Sequence, residues 1–190
     1  MKPTEEDERK LDRILGYLNA TPEKTATLRI GDKLQLRAFA SYAVYQDAKF
    51  VSGIVIMLGD AVIYVKSSKQ KIVTRSSTES ELVAISDSLS QVLWTREDIN
   101  AADLQIGPVV LYQDNKSTIF LANKGRSTSE RTHHIKIRNF FIHHYIGTKE
   151  IVIEYMPTAF MLADIMTKPL HGALLKKLRD ALTGYKRIMA

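Results

Sequence analysis

The sequence predicts an α/β fold in which helices flank a five-stranded mixed sheet. Three strand-like apolar runs follow one another directly between residues 34 and 66, and the apolar spacing then changes to a helical period from residue 78. Two further strand-like runs, at residues 109–112 and 151–156, alternate with helical patterns. Directly linked strands pair antiparallel, whereas strands joined through helices pair in parallel. We therefore expect a three-strand antiparallel meander plus two parallel strands.

The composition fits one domain with a substantial core and an appended helix. The chain has 190 residues, of which 45% are hydrophobic, and it has no cysteine, which excludes disulfides and thiolate metal ligands. No apolar run approaches the roughly eighteen residues of a membrane span, and the segment after Met1 is charged rather than signal-like. We expect a soluble, intracellular protein without a membrane partner.

The net charge of +6 permits a polyanionic partner but does not require one. Basic residues gather within residues 66–75, 126–138 and 176–187. A solvated surface explains each cluster taken alone. Their value for the prediction is that they flank the acidic motifs described below.

The N-terminal residues predict an amphipathic helix outside the main sheet. Thr4 and Asp7 have the spacing of an N-terminal capping pair, and residues 19–24 have the composition of a linker. The predicted helix, residues 4–19, carries one apolar stripe made of Leu11, Ile14, Leu15 and Leu18.

The meander is predicted from runs at residues 34–45, 50–58 and 61–66, with Gly59 and Asp60 as the hairpin turn between the last two. A helix follows, and Thr78 with Glu81 matches a capping box at its start. This pairing predicts that Glu81 lies in the first helical turn.

The second half of the chain alternates short strands with helices. Pro108 precedes the first of these strands, and Gly125, Gly147 and Pro157 stop the next three segments. The expected order is strand 109–112, helix 115–122 closed near Gly125, helix 132–146, strand 151–156 and a last helix that contains Asp164.

Three acidic residues lie where such a fold can bring them together. Glu81 starts a helix, Asp114 ends a buried strand, and Asp164 is in the late helix. Hard divalent cations prefer carboxylate oxygens, and two adjacent cations can cleave a phosphodiester bond. Each acid alone is more often a cap, a turn residue or a helix-start charge, so the prediction of a metal site depends on all three.

Six motifs occur in order along the chain. They are Pro-Thr-Glu-Glu-Asp, Ser-Ser-Lys-Gln-Lys, Ser-Ser-Thr-Glu-x-Glu, Tyr-Gln-Asp-Asn-x-Ser, Arg-Thr-x-His-Ile and Ala-Asp-x-x-Thr-Lys-Pro-Leu. With these motifs the chain resembles the ribonuclease H domain of copia-type LTR retrotransposon polyproteins, preceded by the end of the reverse transcriptase connection. The resemblance implies three parts, namely the connection helix and linker at residues 1–27, the ribonuclease H-like domain at 28–170 and a C-terminal helical tail at 171–190.

The resemblance implies two Mg²⁺ ions that hydrolyse the RNA strand of an RNA–DNA hybrid. Glu81, Asp114 and Asp164 match three of the family's four catalytic metal ligands, and the motif selects Glu81 over its rival Glu79. His134 matches the family's His-Ile position. It is either a helix-start surface residue or a phosphate contact or proton shuttle near the metals.

The fourth ligand, an Asp in the first strand, is missing. The family reads approximately Ala-Asp-Ala-Ser-Tyr-Ala where this chain has Ala-Phe-Ala-Ser-Tyr-Ala, with Phe39 as the aromatic residue. Either Phe39 replaces the Asp, or an Asp-Ala pair is lost between Ala40 and Ser41. Both alternatives preserve the two-residue period and leave Phe39 at the position of the missing Asp. Asp47 is the nearest acid that could compensate, and Asp32 is less suitable.

Contacts with the hybrid are also implied by the resemblance and by charge. Basic side chains would meet backbone phosphates, and Asn115 and Ser117 would meet the minor groove. Lys168 is equally explained as a phosphate contact or a solvated lysine. The predicted phosphate contacts are Lys69, Lys71, Arg131, Lys136 and Arg138.

We therefore expect a retrotransposon ribonuclease H domain whose ancestral hydrolysis of hybrids is impaired by loss of the first-strand Asp. Its partners would be the hybrid and the reverse transcriptase domain of the same polyprotein, in the cytoplasm, a virus-like particle or the nucleus. The alternatives are a catalytically inactive hybrid-binding or structural module, and a decayed fragment of an element.

Overall fold

The computed structural model describes residues 3–29, 31, 33–44, 50–125 and 133–185, the side chain of His133 excepted. Two 3-10 helices, Thr158–Phe160 and Leu162–Met166, follow the last strand. The strands are β1 (Leu36–Val44), β2 (Phe50–Leu58), β3 (Ala61–Lys69), β4 (Val109–Gln113) and β5 (Ile151–Tyr155), and the helices are α1 (Glu5–Ala20), α2 (Ser77–Ala101), α3 (Lys116–Lys124), α4 (His133–Gly147) and α5 (Gly172–Leu182).

The five strands form one mixed sheet in the order β3-β2-β1-β4-β5. β1, β2 and β3 pair antiparallel as a meander, and β4 pairs in parallel with both β1 and β5. Gly59 forms the turn between β2 and β3 with a φ of +59°, a conformation that glycine adopts without strain. The predicted α/β class, meander and parallel strands are confirmed. β3 extends to Lys69, three residues beyond the predicted run.

The sheet has a packed core on each face, because successive residues of β1 point to opposite sides. Ala38 and Ala40 lie in the cluster that includes Leu82 and Leu89 of α2. Phe39 lies in the second cluster, on the face covered by the 3-10 segment and α5. The fully buried members of this second cluster from the C-terminal region are Met161, Leu162, Ala163 and Leu178.

Helix α5 contributes to the core although it lies within the predicted tail at residues 171–190. Leu178 is completely buried and Ala181 nearly so. The predicted boundaries of the three parts stay predictions.

Helix α1 begins with the predicted capping box, in which Thr4 Oγ1 accepts from the Asp7 N–H and an Asp7 carboxylate oxygen accepts from the Thr4 N–H. None of its residues is buried. Its predicted apolar stripe is exposed, with Leu11, Ile14, Leu15 and Leu18 each between 49% and 58% accessible. This exposure agrees with the expectation that the helix lies outside the main sheet.

The predicted start of α2 is wrong, because the helix is capped by Ser76, two residues before the predicted cap Thr78. The N-cap is Ser76, whose Oγ accepts from the Glu79 N–H at 3.2 Å, while a Glu79 oxygen accepts from the Arg75 N–H at 2.8 Å. The expected Thr78–Glu81 box does not form, because the backbone is already helical at Thr78. Glu81 therefore lies in the second turn of α2, where its side chain is buried. Asp164 lies in the 3-10 helix Leu162–Met166 rather than in an α-helix.

Candidate active site

Three elements bring the predicted acids to one end of the sheet. Glu81 projects from the second turn of α2, Asp114 directly follows β4, and Asp164 lies in the 3-10 helix Leu162–Met166. Repulsion from Asp114 and Asp164 raises the pKa of Glu81. The carboxyl group of Glu81 therefore interacts electrostatically with those of Asp114 and Asp164.

Glu81 is only 4% exposed, and its pKa is raised from 4.5 to about 8. Burial is the largest cause, and repulsion from Asp114 comes next. A hydrogen bond from Gln113 and the charge of Lys168 act in the opposite direction. The carboxyl group is accordingly mainly protonated at neutral pH.

The buried amide of Gln113 connects the elements that carry the site. Its Nε2 donates to Glu81 Oε2 at 3.1 Å and lies 3.5 Å from the backbone oxygen of Ala40 in β1. Its Oε1 accepts from the N–H groups of Asp114 and Asn115 at 2.8 and 3.1 Å. Gln113 was not predicted as a site residue, although it immediately precedes Asp114 in the Tyr-Gln-Asp-Asn motif.

Both carboxylate oxygens of Asp164 have partners in this structure. Oδ1 accepts from Ser41 Oγ at 2.6 Å, and Oδ2 pairs with Lys168 Nζ at 2.8 Å. Asp164 is 1% exposed, Ser41 is fully buried, and the Lys168 side chain is 35% exposed. Lys168 is therefore an ion-pair partner of Asp164, which neither of the two predicted roles anticipated.

Gly53 of β2 lies opposite Ser41 and allows the 3-10 segment to approach the sheet. A Cβ atom at Gly53 would lie 2.7 Å from Thr167 Cγ2 and 2.8 Å from the backbone oxygen of Ala163. These distances are shorter than real Cβ contacts, so the absence of a side chain sets the position of the segment that carries Asp164.

Phe39 is completely buried in the apolar cluster on the α5 face. Its ring centroid lies 5.0 Å from that of Tyr112 in β4, with the ring planes inclined at 37°. The β1 side chain that contacts a candidate catalytic acid is Ser41, which lies two residues further along and on the same face.

Asp114 and the residues after it mainly support local structure. Asp114 Oδ2 accepts from Thr158 Oγ1 at 2.8 Å. Asn115 is the N-cap of α3, because its Oδ1 accepts from the N–H groups of Ser117 and Thr118 at 3.0 and 3.2 Å. Ser117 is exposed at the start of this helix. The predicted minor-groove contacts by Asn115 and Ser117 stay predictions.

The remaining predicted residues lie on α4 and along a groove between the sheet and α2. His134 is exposed in the first turn of α4, and Lys136 is partly exposed in the same helix. Lys69, Lys71 and Arg138 line a common groove. Arg131 lies outside the described residues, as do Asp32 and Asp47.

The acids as arranged do not fit a pair of Mg²⁺ ions. Carboxylate oxygens are suitable ligands for this ion, but those of Asp164 are engaged by Ser41 and by the cation of Lys168, which a metal ion would have to displace. Glu81, whose pKa is raised, would have to release its proton on binding a cation. Within the described ranges, no group of three or more His, Asp or Glu side chains has the arrangement of a metal site.

The chain is similar in sequence to transposon polyproteins. It is 35% identical over 173 residues to the retrovirus-related Pol polyprotein from transposon RE1 of Arabidopsis thaliana, and 32% identical over 172 residues to that from transposon RE2 of the same plant. Each alignment covers 88% of this chain and 12% of the polyprotein. The chain therefore spans about an eighth of the length of these relatives. No protein-family model matches the chain.

The fold is similar to that of solved ribonuclease H1 structures. LC11-RNase H1 isolated from compost matches with a TM-score of 0.54 and 14% identity, and the same enzyme in complex with an RNA/DNA hybrid matches with 0.52 and 13%. RNase H1 from the halophilic archaeon Halobacterium salinarum matches with 0.50 and 17%. Each match covers 70% of this chain and 93% of the solved chain.

No helix in the described residues is long and apolar enough to span a membrane.

Proposed function

The chain belongs to the family of copia-type retrotransposon Pol polyproteins, of which it corresponds to one ribonuclease H-like segment, and we propose that it binds RNA–DNA hybrids with little or no hydrolysis. Its second partner is the reverse transcriptase domain of the same polyprotein. The ancestral reaction is metal-dependent cleavage of the RNA strand.

The occupied carboxylate of Asp164 is the observation that carries this proposal. An ammonium group and a hydroxyl already contact its two oxygens, so a cation would have to displace Lys168 or share these oxygens with it. The ion pair leaves this residue electrically balanced by Lys168. The net charge of +6 still favours a polyanion, because phosphate binding releases counterions.

The position of Ser41 bears on how the first-strand Asp was lost. The sequence pattern placed Phe39 at the position of the missing Asp under both alternatives, but loss of an Asp-Ala pair after Ala40 would put Ser41, the next residue on the same face, at that position. The 2.6 Å contact between Ser41 Oγ and Asp164 Oδ1 supports this alternative over replacement by Phe39, whose ring packs in an apolar cluster.

Residual hydrolysis is the second candidate function. The electrostatic interaction of Asp114 and Asp164 with Glu81 favours it, because the acids still converge. Hydrolysis by the unmodified chain would require another group to replace the missing ligand. Asp47 remains the candidate for that role.

The deciding experiment separates binding from cleavage. The unmodified chain is titrated with RNA–DNA hybrid at two salt concentrations, and the same hybrid is incubated with the chain and Mg²⁺. We expect binding that weakens steeply with salt, together with little or no cleavage. Robust cleavage would contradict the proposed loss of activity, and a lack of binding at low salt would contradict the proposed function altogether.

A further inference from the structure

A groove of about 380 Å³ lies between the β2–β3 edge of the sheet and helix α2. Four basic side chains and three serines dominate its wall, and Asp87 is the one acid among the described residues that line it. The basic residues are Lys66, Lys69, Lys71 and Arg138, and the serines are Ser52, Ser68 and Ser88.

The strand register explains why these side chains share one wall. Ser52 of β2 pairs with Ser68 of β3, and Ile54 pairs with Lys66, so alternate residues of both strands face α2. Ser88 of α2 closes the groove from the other side. The sheet pairing therefore places Lys66, Ser52 and Ser68 on this wall, whereas Lys71 follows the end of β3 and Arg138 comes from α4.

The groove keeps most of its positive charge. Arg138 Nη1 donates to Ser86 Oγ at 3.2 Å and is also ion-paired with Asp87, which neutralises one charge. No carboxylate of the described residues forms an ion pair with Lys66, Lys69 or Lys71. Three positive charges consequently face a space large enough for several atoms of a polyanion.

Ser52 forms part of the groove wall and is held in place by Gln70. Gln70 Nε2 donates to Ser52 Oγ at 2.8 Å and to the backbone oxygen of Ser80 at 3.0 Å. Because Ser52 Oγ is the acceptor in this contact, its hydroxyl proton remains able to donate to an anion. Ser80 directly precedes Glu81, so the same amide connects the groove to the carboxylate site.

The groove lies close to the candidate active site. Ala84 and Ser88 line it and follow Glu81 by three and seven residues on α2, which corresponds to roughly 5 and 10 Å along the helix. One strand of a duplex carries a phosphate about every 3.4 Å of its axis. A strand in the groove would therefore have phosphates within about three nucleotides of the carboxylates.

We propose that this groove binds consecutive backbone phosphates of one strand of the hybrid and so fixes the register of the duplex against Glu81, Asp114 and Asp164. The inference rests on the proposed function and deepens it. Lysine ammonium groups contact phosphates without reading bases, so the site is independent of sequence. It adds Lys66, Ser52 and Ser68 to the predicted contacts of Lys69, Lys71 and Arg138.

The test replaces the three groove lysines together, as Lys66→Gln, Lys69→Gln and Lys71→Gln. The matched control replaces three exposed lysines away from the groove, as Lys10→Gln, Lys149→Gln and Lys177→Gln, and thus removes the same charge. Affinity for RNA–DNA hybrid and for duplex DNA is measured against salt concentration. Thermal unfolding of both variants confirms that they are folded.

We expect the groove variant to bind hybrid more weakly and to lose about one unit of salt slope per lysine, whereas the control keeps nearly the original slope. Equal slopes for the two variants would overturn the inference. An acidic polypeptide that binds the groove lysines more tightly than hybrid does would overturn it in favour of a protein partner.

Duplex DNA distinguishes failure of the inference from failure of the proposed function. If duplex DNA binds through the groove lysines and hybrid has no advantage over it, the phosphate site stands and the hybrid-binding function fails. If hybrid binds but the groove lysines do not matter, the function stands and the groove inference fails. If neither nucleic acid binds at low salt, both fail.

Discussion

Ser41 Oγ lies 2.6 Å from Asp164 Oδ1, although 123 residues separate the two along the chain. The donor is a neutral hydroxyl and the acceptor a carboxylate, which makes this a charge-assisted contact of normal short length. Both side chains are almost completely buried. The contact marks the point where β1 reaches the late acidic segment.

Substitution of Ser41 by aspartate tests whether a carboxylate at this position, together with Glu81, Asp114 and Asp164, can bind a divalent cation. Ser41→Asp should place a second carboxylate beside Asp164, and their repulsion should be relieved by a divalent cation. We expect Mg²⁺ to raise the melting temperature of this variant. At a Mg²⁺ concentration a hundred times its dissociation constant, the gain in free energy of unfolding should be about 3 kcal/mol. Cleavage of hybrid should then appear.

Ser41→Asn is the control, because it has a similar size without the charge. Mg²⁺ should leave the melting temperature of Ser41→Asn and of the unmodified chain unchanged. If Mg²⁺ stabilises all three proteins equally, the metal does not act through position 41.

Phe39→Asp tests the proposal that position 39 is where the family's first-strand Asp would stand. Removal of a fully buried aromatic ring should cost about 3–5 kcal/mol of the free energy of unfolding, and the buried carboxyl adds to this loss. We expect a strongly destabilised protein without cleavage, as measured by urea unfolding and a hybrid assay. A stable Phe39→Asp protein that cleaves hybrid would support direct replacement of the Asp by Phe39.

The raised pKa of Glu81 predicts a pH-dependent stability. Because the folded protein binds this proton more tightly than the unfolded chain does, with pKa values of about 8 and 4.5, the free energy of unfolding should fall as pH rises between these values. The loss should reach several kcal/mol near pH 8, and Glu81 should contribute no slope below about pH 4.5.

Glu81→Gln is the matched variant for this measurement, since its side chain is neutral at every pH. Chemical unfolding curves of the two proteins should converge at low pH and diverge as pH approaches 8, with the variant more stable at high pH. Parallel curves across this range would show that Glu81 does not carry the effect.

The ion pair of Lys168 with Asp164 predicts a cost for removing the cation. Lys168→Gln should lower the free energy of unfolding by about 1–2 kcal/mol, because Asp164 would be left buried without a counter-charge, while the partial exposure of Lys168 limits the effect. The double variant with Asp164→Asn should recover part of this loss. If the loss of unfolding free energy in the double variant equals the sum of the losses in the two single variants, the two side chains do not interact directly.

The sequence predicted the elements that depend on local patterns. The strand over residues 50–58 was predicted with its observed bounds, because an apolar run ends at a glycine turn. The start of α2 was missed because Ser76–Glu79 and Thr78–Glu81 both have capping-box spacing, and local chemistry does not choose between them. Buried Thr74 and Ser80, which hydrogen-bond to each other, lie beside the observed cap.

The acids of the candidate site were predicted from motifs, but their partners were not. Ser41 and Gln113 acquire their contacts through β1, β4 and the 3-10 segment packing together, which no spacing in the sequence reveals. Lys168 follows Asp164 by four residues, yet this spacing does not show whether a lysine faces solvent or a buried carboxylate.

Because residue 53 is a glycine in close contact with the 3-10 segment, positions 41 and 53 should differ in how well they tolerate mutation. Position 41 accepts a hydroxyl, and an aspartate there would add only a few atoms. Position 53 has no room for even one methyl group against Ala163 and Thr167. An alanine there would push away the segment that carries Asp164, so the side chain at position 41 can change without moving the backbone, whereas any side chain at position 53 requires the backbone around it to move first.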